Sequence, residues 1–125
     1  MEKTVISTPN APGAIGPYSQ GWIVGDFIFA SGQIPVDPST GTIPEGIAAQ
    51  TEQACRNVAA LMEAAGVTMD NVVKTTVFLQ NMGDFAAMNE VYASFFTGTC
   101  PARAAVEVAK LPKGALVEIE AVAAV

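Results

Sequence analysis

Apolar and polar positions follow two rhythms along this chain. Short stretches alternate with a two-residue period, the mark of half-buried strands, and two longer ones repeat at helical spacing. Thr4-Val5-Ile6-Ser7-Thr8 reads as a first strand. Gly21–Val24 and Phe27–Ser31 read as two more, joined by Gly25-Asp26, where glycine in the first central position predicts a type II′ hairpin turn. Asn10 to Pro17 and Pro35 to Gly46 are loops dense in proline and glycine.

From Ile47 to Ala65 the period is helical. Ile47, Thr51, Ala54, Cys55, Val58, Leu61, Met62 and Ala65 form an apolar stripe, with Gly66 at its end. Gln50, Glu52, Gln53, Arg56, Asn57 and Glu63 are assigned to the polar side. A second helix is predicted over Phe85–Phe96, with Asp84 as N-cap, Phe85, Met88, Val91, Tyr92 and Phe95 as its stripe, and Asn89 at the stripe's edge.

Between the helices, Val72–Gln80 is a strand. Strict alternation puts Val73, Thr75, Val77 and Leu79 on one face and Val72, Lys74, Thr76 and Phe78 on the other. Arg103–Ala109 and Leu116–Val125 are the last strands. Leu111-Pro112-Lys113-Gly114 connects them, and they are expected to pair as a hairpin. In the final strand Val117, Ile119 and Ala121 face the core, while Glu118 and Glu120 face away. The order β-ββ-α-β-α-ββ predicts a single α+β domain over residues 1–125, a mixed sheet with two helices on one face. The open face, carrying Val72, Thr76 and Phe78, is too apolar for full solvation and is expected to meet another subunit.

Composition strengthens that expectation. Half the residues are hydrophobic and only 14% are charged, leaving few charges to cover a small monomer's surface. The net charge of −6 and the lack of any basic run oppose non-specific nucleic-acid binding. The N-terminus has no signal-peptide pattern and no apolar run is long enough to span a membrane, so a cytoplasmic location with free thiols is expected. There is no histidine. Ser–His and Cys–His nucleophilic systems are therefore excluded, as are histidine-containing zinc sites. Two cysteines supply only half of an all-cysteine zinc site, and no Gly-rich phosphate loop occurs. An enzyme built from this chain is expected to use neither a metal nor a nucleotide cofactor.

The candidate chemistry centres on Arg103, one of two arginines, set in the small apolar segment Cys100-Pro101-Ala102-Arg103-Ala104-Ala105. A guanidinium stays charged and must find water, a protein carboxylate, or the carboxylate or phosphate of a ligand. Glu107, Glu118 and Glu120 are available for a structural ion pair, yet they outnumber the arginine. A carboxylate crowded by others can have a raised pKa suited to acid–base work. Tyr18 either caps the core or lines a pocket. Ser31 and the backbone of Gly32 either make a turn or present polar groups to a cleft. Cys55 reads as a core thiol and Cys100 as a passive one.

Together, Ala14-Ile15-Gly16-Pro17-Tyr18-Ser19-Gln20, Ser31-Gly32-Gln33-Ile34-Pro35, Val73-Lys74-Thr75-Thr76-Val77, Asn89-Glu90-Val91-Tyr92, Pro101-Ala102-Arg103, Leu111-Pro112-Lys113 and Val117-Glu118-Ile119-Glu120-Ala121 resemble the reactive intermediate deaminase A (RidA) family over nearly the whole chain. The resemblance implies a chorismate-mutase-like fold, a homotrimer with clefts between subunits, and cofactor-independent hydrolysis of 2-imino acids, such as 2-iminobutanoate and 2-iminopropanoate, to 2-oxo acids and ammonia. It implies that Arg103 holds the substrate carboxylate and Glu118 orients the attacking water, with Tyr18, Ser31, Gly32 and Asn89 as other pocket positions. Many members carry cysteine where this chain has Ala105, whose backbone N–H remains able to bind a carboxylate. A non-catalytic, small-carboxylate-binding regulator of the same fold is the alternative function, and RNA cleavage is a third reading that the acidic balance opposes.

Overall fold

A computed structural model describes residues 2–125. Six strands form one sheet in the order β1-β2-β3-β6-β4-β5. They are β1 (Lys3–Ile6), β2 (Gly21–Val24), β3 (Phe27–Gln33), β4 (Val72–Leu79), β5 (Ala102–Glu107) and β6 (Val117–Ala124). The helices α1 (Ile47–Ala64) and α2 (Phe85–Ala93) connect β3 to β4 and β4 to β5. The expected α+β mixed sheet with two helices is therefore present.

Two details follow directly from local chemistry. Gly25 takes φ 58°, while Asp26 is not among the residues of positive φ, the combination a type II′ turn requires. The turn sets the register Val24↔Phe27. At the end of α1, Gly66 N–H bonds the Glu63 carbonyl and Val67 N–H bonds that of Met62, satisfying carbonyls that the helix leaves open.

The pairing of the last strands departs from the expected hairpin. β5 runs parallel to β4, from Lys74↔Ala102 to Leu79↔Glu107, and makes the edge of the sheet. β6 instead inserts antiparallel between β3 and β4. The reason is the helix preceding β5. A strand–helix–strand unit closes naturally as a parallel crossover, so α2 delivers β5 alongside β4. The connection over 108–116 then carries the chain back to the middle of the sheet. Split between β3 and β4, β6 buries Val117, Ile119, Ala121 and Ala123 against the helices.

The core lies between the sheet and the two helices, with Ile28, Leu61, Met62, Leu79, Met88 and Ile119 fully buried. Strict alternation fails at the start of β4. Val72 is 4% exposed and Val73 46%, the reverse of the expected faces. Val72 pairs with Ala123 and Lys74 with Val122, so two steps on β4 match one on β6. Val73 is the extra residue of a bulge, and it shifts the phase of everything before it. Alternation is as expected from Thr75 onward.

Two polar residues assigned to the outer side of α1 are also buried. Gln50 accepts the Leu116 N–H at 2.8 Å, and Asn57 donates to the carbonyls of Ile34 (3.1 Å) and Val36 (2.9 Å). Each ties a loop to the helix through the loop's backbone groups, the Ile34 carbonyl also accepting the Val36 N–H at 2.8 Å. Asp84 precedes α2 but makes no capping bond. Asn81 caps the preceding turn by accepting Gly83 N–H, and α2 ends at Ala93 rather than Phe96. No helix among the described residues is long and apolar enough to cross a membrane.

Candidate functional site

A cleft of about 950 Å³ opens beside the end of β3, and Tyr18, Ser31, Gly32, Lys113, Glu118 and Glu120 line it. It exists because β3 is irregular there. Ala30 pairs with Ala121 and Gln33 with Ile119, so three steps on β3 match two on β6. The bulge falls at Ser31-Gly32. Bulges of this kind re-aim side chains and interrupt the ladder, and this one leaves room for the Glu118 carboxylate over Gly32. A Cβ at position 32 would overlap Glu118 Oε2 and lie only 3.0 Å from Cδ. Only glycine admits the carboxylate in this position.

The Ser31 hydroxyl donates to the Ser19 carbonyl at 2.6 Å, and Ser31 N–H bonds the Gln20 carbonyl at 2.9 Å. The bulge is thus fastened to the loop that carries Tyr18. That loop is organised by Gln20, which is buried. Its Oε1 accepts Thr8 N–H at 2.7 Å, while Nε2 reaches the carbonyls of Thr8, Ala11 and Pro12. Tyr18 itself is 52% exposed and lines the cleft rather than capping the core. Gln20 has no periodicity to mark it. The only clue in the sequence is a carboxamide after a Pro/Gly loop whose backbone needs partners.

Burial is the main cause that raises the Glu118 carboxyl above the ordinary carboxylate range, and the neighbouring Glu120 adds to it. The crowding of carboxylates read from the sequence is real, but desolvation outweighs it.

Arg103 lies elsewhere. It pairs with Thr75 in the parallel ladder, so both point to the helix side of the sheet. Its Nη1 donates to Asn89 Oδ1 at 2.6 Å. Its guanidinium carbon stands 4.9 Å from the Tyr92 ring centre and 5.4 Å from that of Phe85. Cation–π contacts of this kind are worth roughly 0.5–1 kcal/mol at exposed sites. The Tyr92 hydroxyl in turn meets Thr75 Oγ1 at 2.7 Å. Burial pushes the Tyr92 phenol above its ordinary value against the opposing pull of Thr75 and Arg103, so the platform stays neutral. Ala105, half-buried, pairs with Val77 on the same side of the sheet.

Among the described residues no carboxylate pairs with Arg103. The one ion pair among the described residues is Arg56–Glu52, exposed on α1. Glu107 instead accepts Met82 N–H at 2.8 Å. Glu118 pairs with Phe78, three residues along β4 from Thr75, and an odd spacing means the opposite face of the sheet. The predicted residues therefore form two groups: Tyr18, Ser31, Gly32 and Glu118 at the cleft, and Arg103, Asn89 and Ala105 beneath α2. A single chain does not bring the groups together.

Cys55 is buried and its thiol is pushed up to about 12, first by desolvation and then by Glu52, so it is a core group. Cys100 is exposed and free. Among the described residues no three His, Cys, Asp or Glu side chains are placed to hold a metal ion.

The family model described as Endoribonuclease L-PSP matches residues 8–125. A RutC family protein of Pyrococcus horikoshii is 56% identical over 97% of both chains. A 2-iminobutanoate/2-iminopropanoate deaminase of Escherichia coli is 54% identical over 98% of both, and one of Mus musculus is 51% identical over 97% of this chain and 90% of its own. Among solved structures, E. coli TdcF with bound serine superposes with a TM-score of 0.95 at 46% identity, covering 98% of both chains. RidA from an Antarctic Psychrobacter superposes with the same score and identity, over 98% of this chain and 99% of its own. Matched over nearly its whole length in both sequence and fold, the chain belongs to the Endoribonuclease L-PSP family, the group of RutC and RidA proteins.

Proposed function

We propose that this protein is a 2-iminobutanoate/2-iminopropanoate deaminase, hydrolysing 2-imino acids to 2-oxo acids and ammonia. The observation that carries the reading is Arg103: a guanidinium oriented by Asn89, Tyr92 and Phe85, with no carboxylate partner among the described residues. A planar fork held in this way suits bidentate capture of a substrate carboxylate. The deaminase names of full-length relatives at 51–54% identity point the same way.

In this reading Arg103 clamps the carboxylate of the 2-imino acid and Glu118 orients water at its C2. The iminium carbon is already electrophilic, so positioning does most of the work. Water oxygen bonds to C2 as Glu118 accepts a proton. That proton passes to nitrogen, and as the C–N bond breaks the C2 hydroxyl gives its remaining proton to the Glu118 carboxylate and becomes the carbonyl, so that the 2-oxo acid and ammonia leave and Glu118 returns the proton to solvent. None of these steps calls for a group beyond these side chains and water.

Because Arg103 and Glu118 occupy opposite faces of the sheet, two copies of the chain must build one site. The open face offers an apolar surface for that contact, with Phe27 50% and Phe29 47% exposed near Trp22 and Val122. A homotrimer with a cleft at each interface satisfies the geometry.

The test couples a threonine dehydratase to the protein and follows 2-oxobutanoate. Wild type accelerates its formation over spontaneous imine hydrolysis, and Arg103→Ala and Glu118→Ala each abolish the acceleration. Reassembled as a 1:1 mixture, the two inactive variants recover about one quarter of wild-type activity, the chance that random neighbours supply one intact copy of each residue. No recovery on mixing rejects the shared site, and no acceleration by wild type rejects the deaminase.

A further inference from the structure

Lys113 is the only residue other than glycine with positive φ among the described residues, at φ 56° and ψ 24°. Gly114 follows at φ 69°, so two consecutive residues are left-handed. For a residue with a Cβ, this conformation is strained by roughly 1 kcal/mol or more. Glycine at position 113 would remove the strain, so the side chain is held at a conformational cost.

The surrounding turn over-determines that conformation. Leu111 is buried and its N–H bonds Gln80 Oε1 at 3.0 Å. Ala115 is fully buried and its N–H bonds the Pro112 carbonyl at 3.1 Å. Both ends of the turn are anchored, and Pro112 restricts the backbone between them. The crest, Pro112-Lys113, is presented to the cleft that holds Glu118 and Glu120.

Charge gives the presentation a purpose. Two carboxylates line the cleft, and Lys113 is the one cation among its lining residues. Lys113 forms no ion pair among the described residues. The chain as a whole carries −6. An anionic ligand approaching this cleft therefore meets repulsion from Glu118, Glu120 and the net charge. A flexible ammonium at the rim counters it and focuses the local field on incoming anions.

We infer that Lys113 is a specificity-determining residue of the cleft, recruiting small carboxylate ligands in preference to their neutral isosteres. The inference rests on the deaminase reading for its substrate, but the recruitment is of any small carboxylate and is measurable without turnover. Arg103 of the same chain lies on the other face of the sheet, so Lys113 is the one cation that each chain itself contributes beside its own Glu118 and Glu120.

The experiment measures binding of 2-oxobutanoate and of its neutral amide, 2-oxobutanamide, by calorimetry from 20 to 300 mM KCl. The proteins are wild type, Lys113→Gln, Lys113→Arg and Lys113→Gly, and the imine-hydrolysis kcat/KM is followed in parallel. Lys113→Gln is expected to weaken 2-oxobutanoate about 3–10-fold at low salt, to flatten the salt dependence, and to leave the amide unaffected. Lys113→Arg restores wild-type behaviour. Lys113→Gly weakens the anion as Lys113→Gln does while raising Tm, because the strain is relieved. Equal anion affinity and equal salt slope in wild type and Lys113→Gln overturn the inference. Equal weakening of anion and amide also overturns it, since that is the mark of a purely structural role. If wild type fails to accelerate imine hydrolysis yet shows the Lys113-dependent anion binding, the deaminase reading falls and this inference stands.

Discussion

Gly32→Ala tests the arrangement at its tightest point. The new methyl group would overlap Glu118 Oε2 and stand 3.0 Å from Cδ and 3.3 Å from Cγ, closer than ordinary van der Waals contact. Gly32 has no positive φ, so the backbone accepts alanine. The nearest atoms belong to the end of a flexible, half-buried side chain, which can swing aside. The cost therefore falls on geometry rather than stability. Relieving the overlap moves the carboxylate by about 1 Å or more, and a misplacement of that size costs on the order of 10²-fold in rate, equivalent to about 2.7 kcal/mol of transition-state stabilisation. In the dehydratase-coupled assay kcat/KM should drop by about 10²-fold, with Tm within about 2 °C of wild type. The double variant Gly32→Ala/Glu118→Ala should lose no more than Glu118→Ala alone, because both changes act through the same carboxylate. A Gly32→Ala protein within about threefold of wild-type activity would refute the claim that Glu118 must sit over Gly32. A multiplicative loss in the double variant would show that Gly32 acts by another route.

Glu118→Gln should make stability less dependent on pH. Its folded-state pKa is raised, by burial first and Glu120 second, so the folded protein holds that proton more tightly than the unfolded chain does. Stability then falls as pH rises from the unfolded value of about 4.3 through the raised one, and stays lower above it. The glutamine variant should melt higher than wild type at pH 7, with the difference closing below about pH 4; a pH-independent difference in Tm would contradict this assignment. Asn57→Ala removes two bonds to loop carbonyls, a buried one to Val36 and a part-buried one to Ile34, and should cost about 2–3 kcal/mol, read as a lower urea midpoint at unchanged m. A cost under about 0.5 kcal/mol would mean that the loop over residues 34–36 does not depend on it.

Much of the secondary structure was legible because it rests on local rules. The stripe Ala54, Cys55, Val58, Leu61 and Met62 is buried as its spacing requires, and Gly25 makes the turn that its position demands. The exceptions have identifiable causes. Bulges at Val73 and at Ser31-Gly32 leave no mark in a binary pattern, because the extra residue is defined only against a partner strand. Gln50 and Asn57 look like surface residues until the loops whose backbone groups they satisfy are folded over them. Tyr92 reads as one more apolar position of its helix, and its service as a platform for Arg103 depends on which strand ends up beneath it.

By itself the sequence determined the elements, their order, the α+β class and the residue types from which a site can be made. The absence of histidine alone restricts the chemistry. Tertiary structure alone decided which strand neighbours which, and with it the face each functional side chain occupies. Read as a hairpin, the strands of Arg103 and Glu118 looked like partners. With β4 between them, the two residues sit on opposite faces of the sheet. Pairing between distant strands depends on how helices and crossovers pack, a non-local property that no period along the chain encodes. That one placement turns an internal salt bridge that the sequence allowed into two separate groups of residues that a single chain leaves apart.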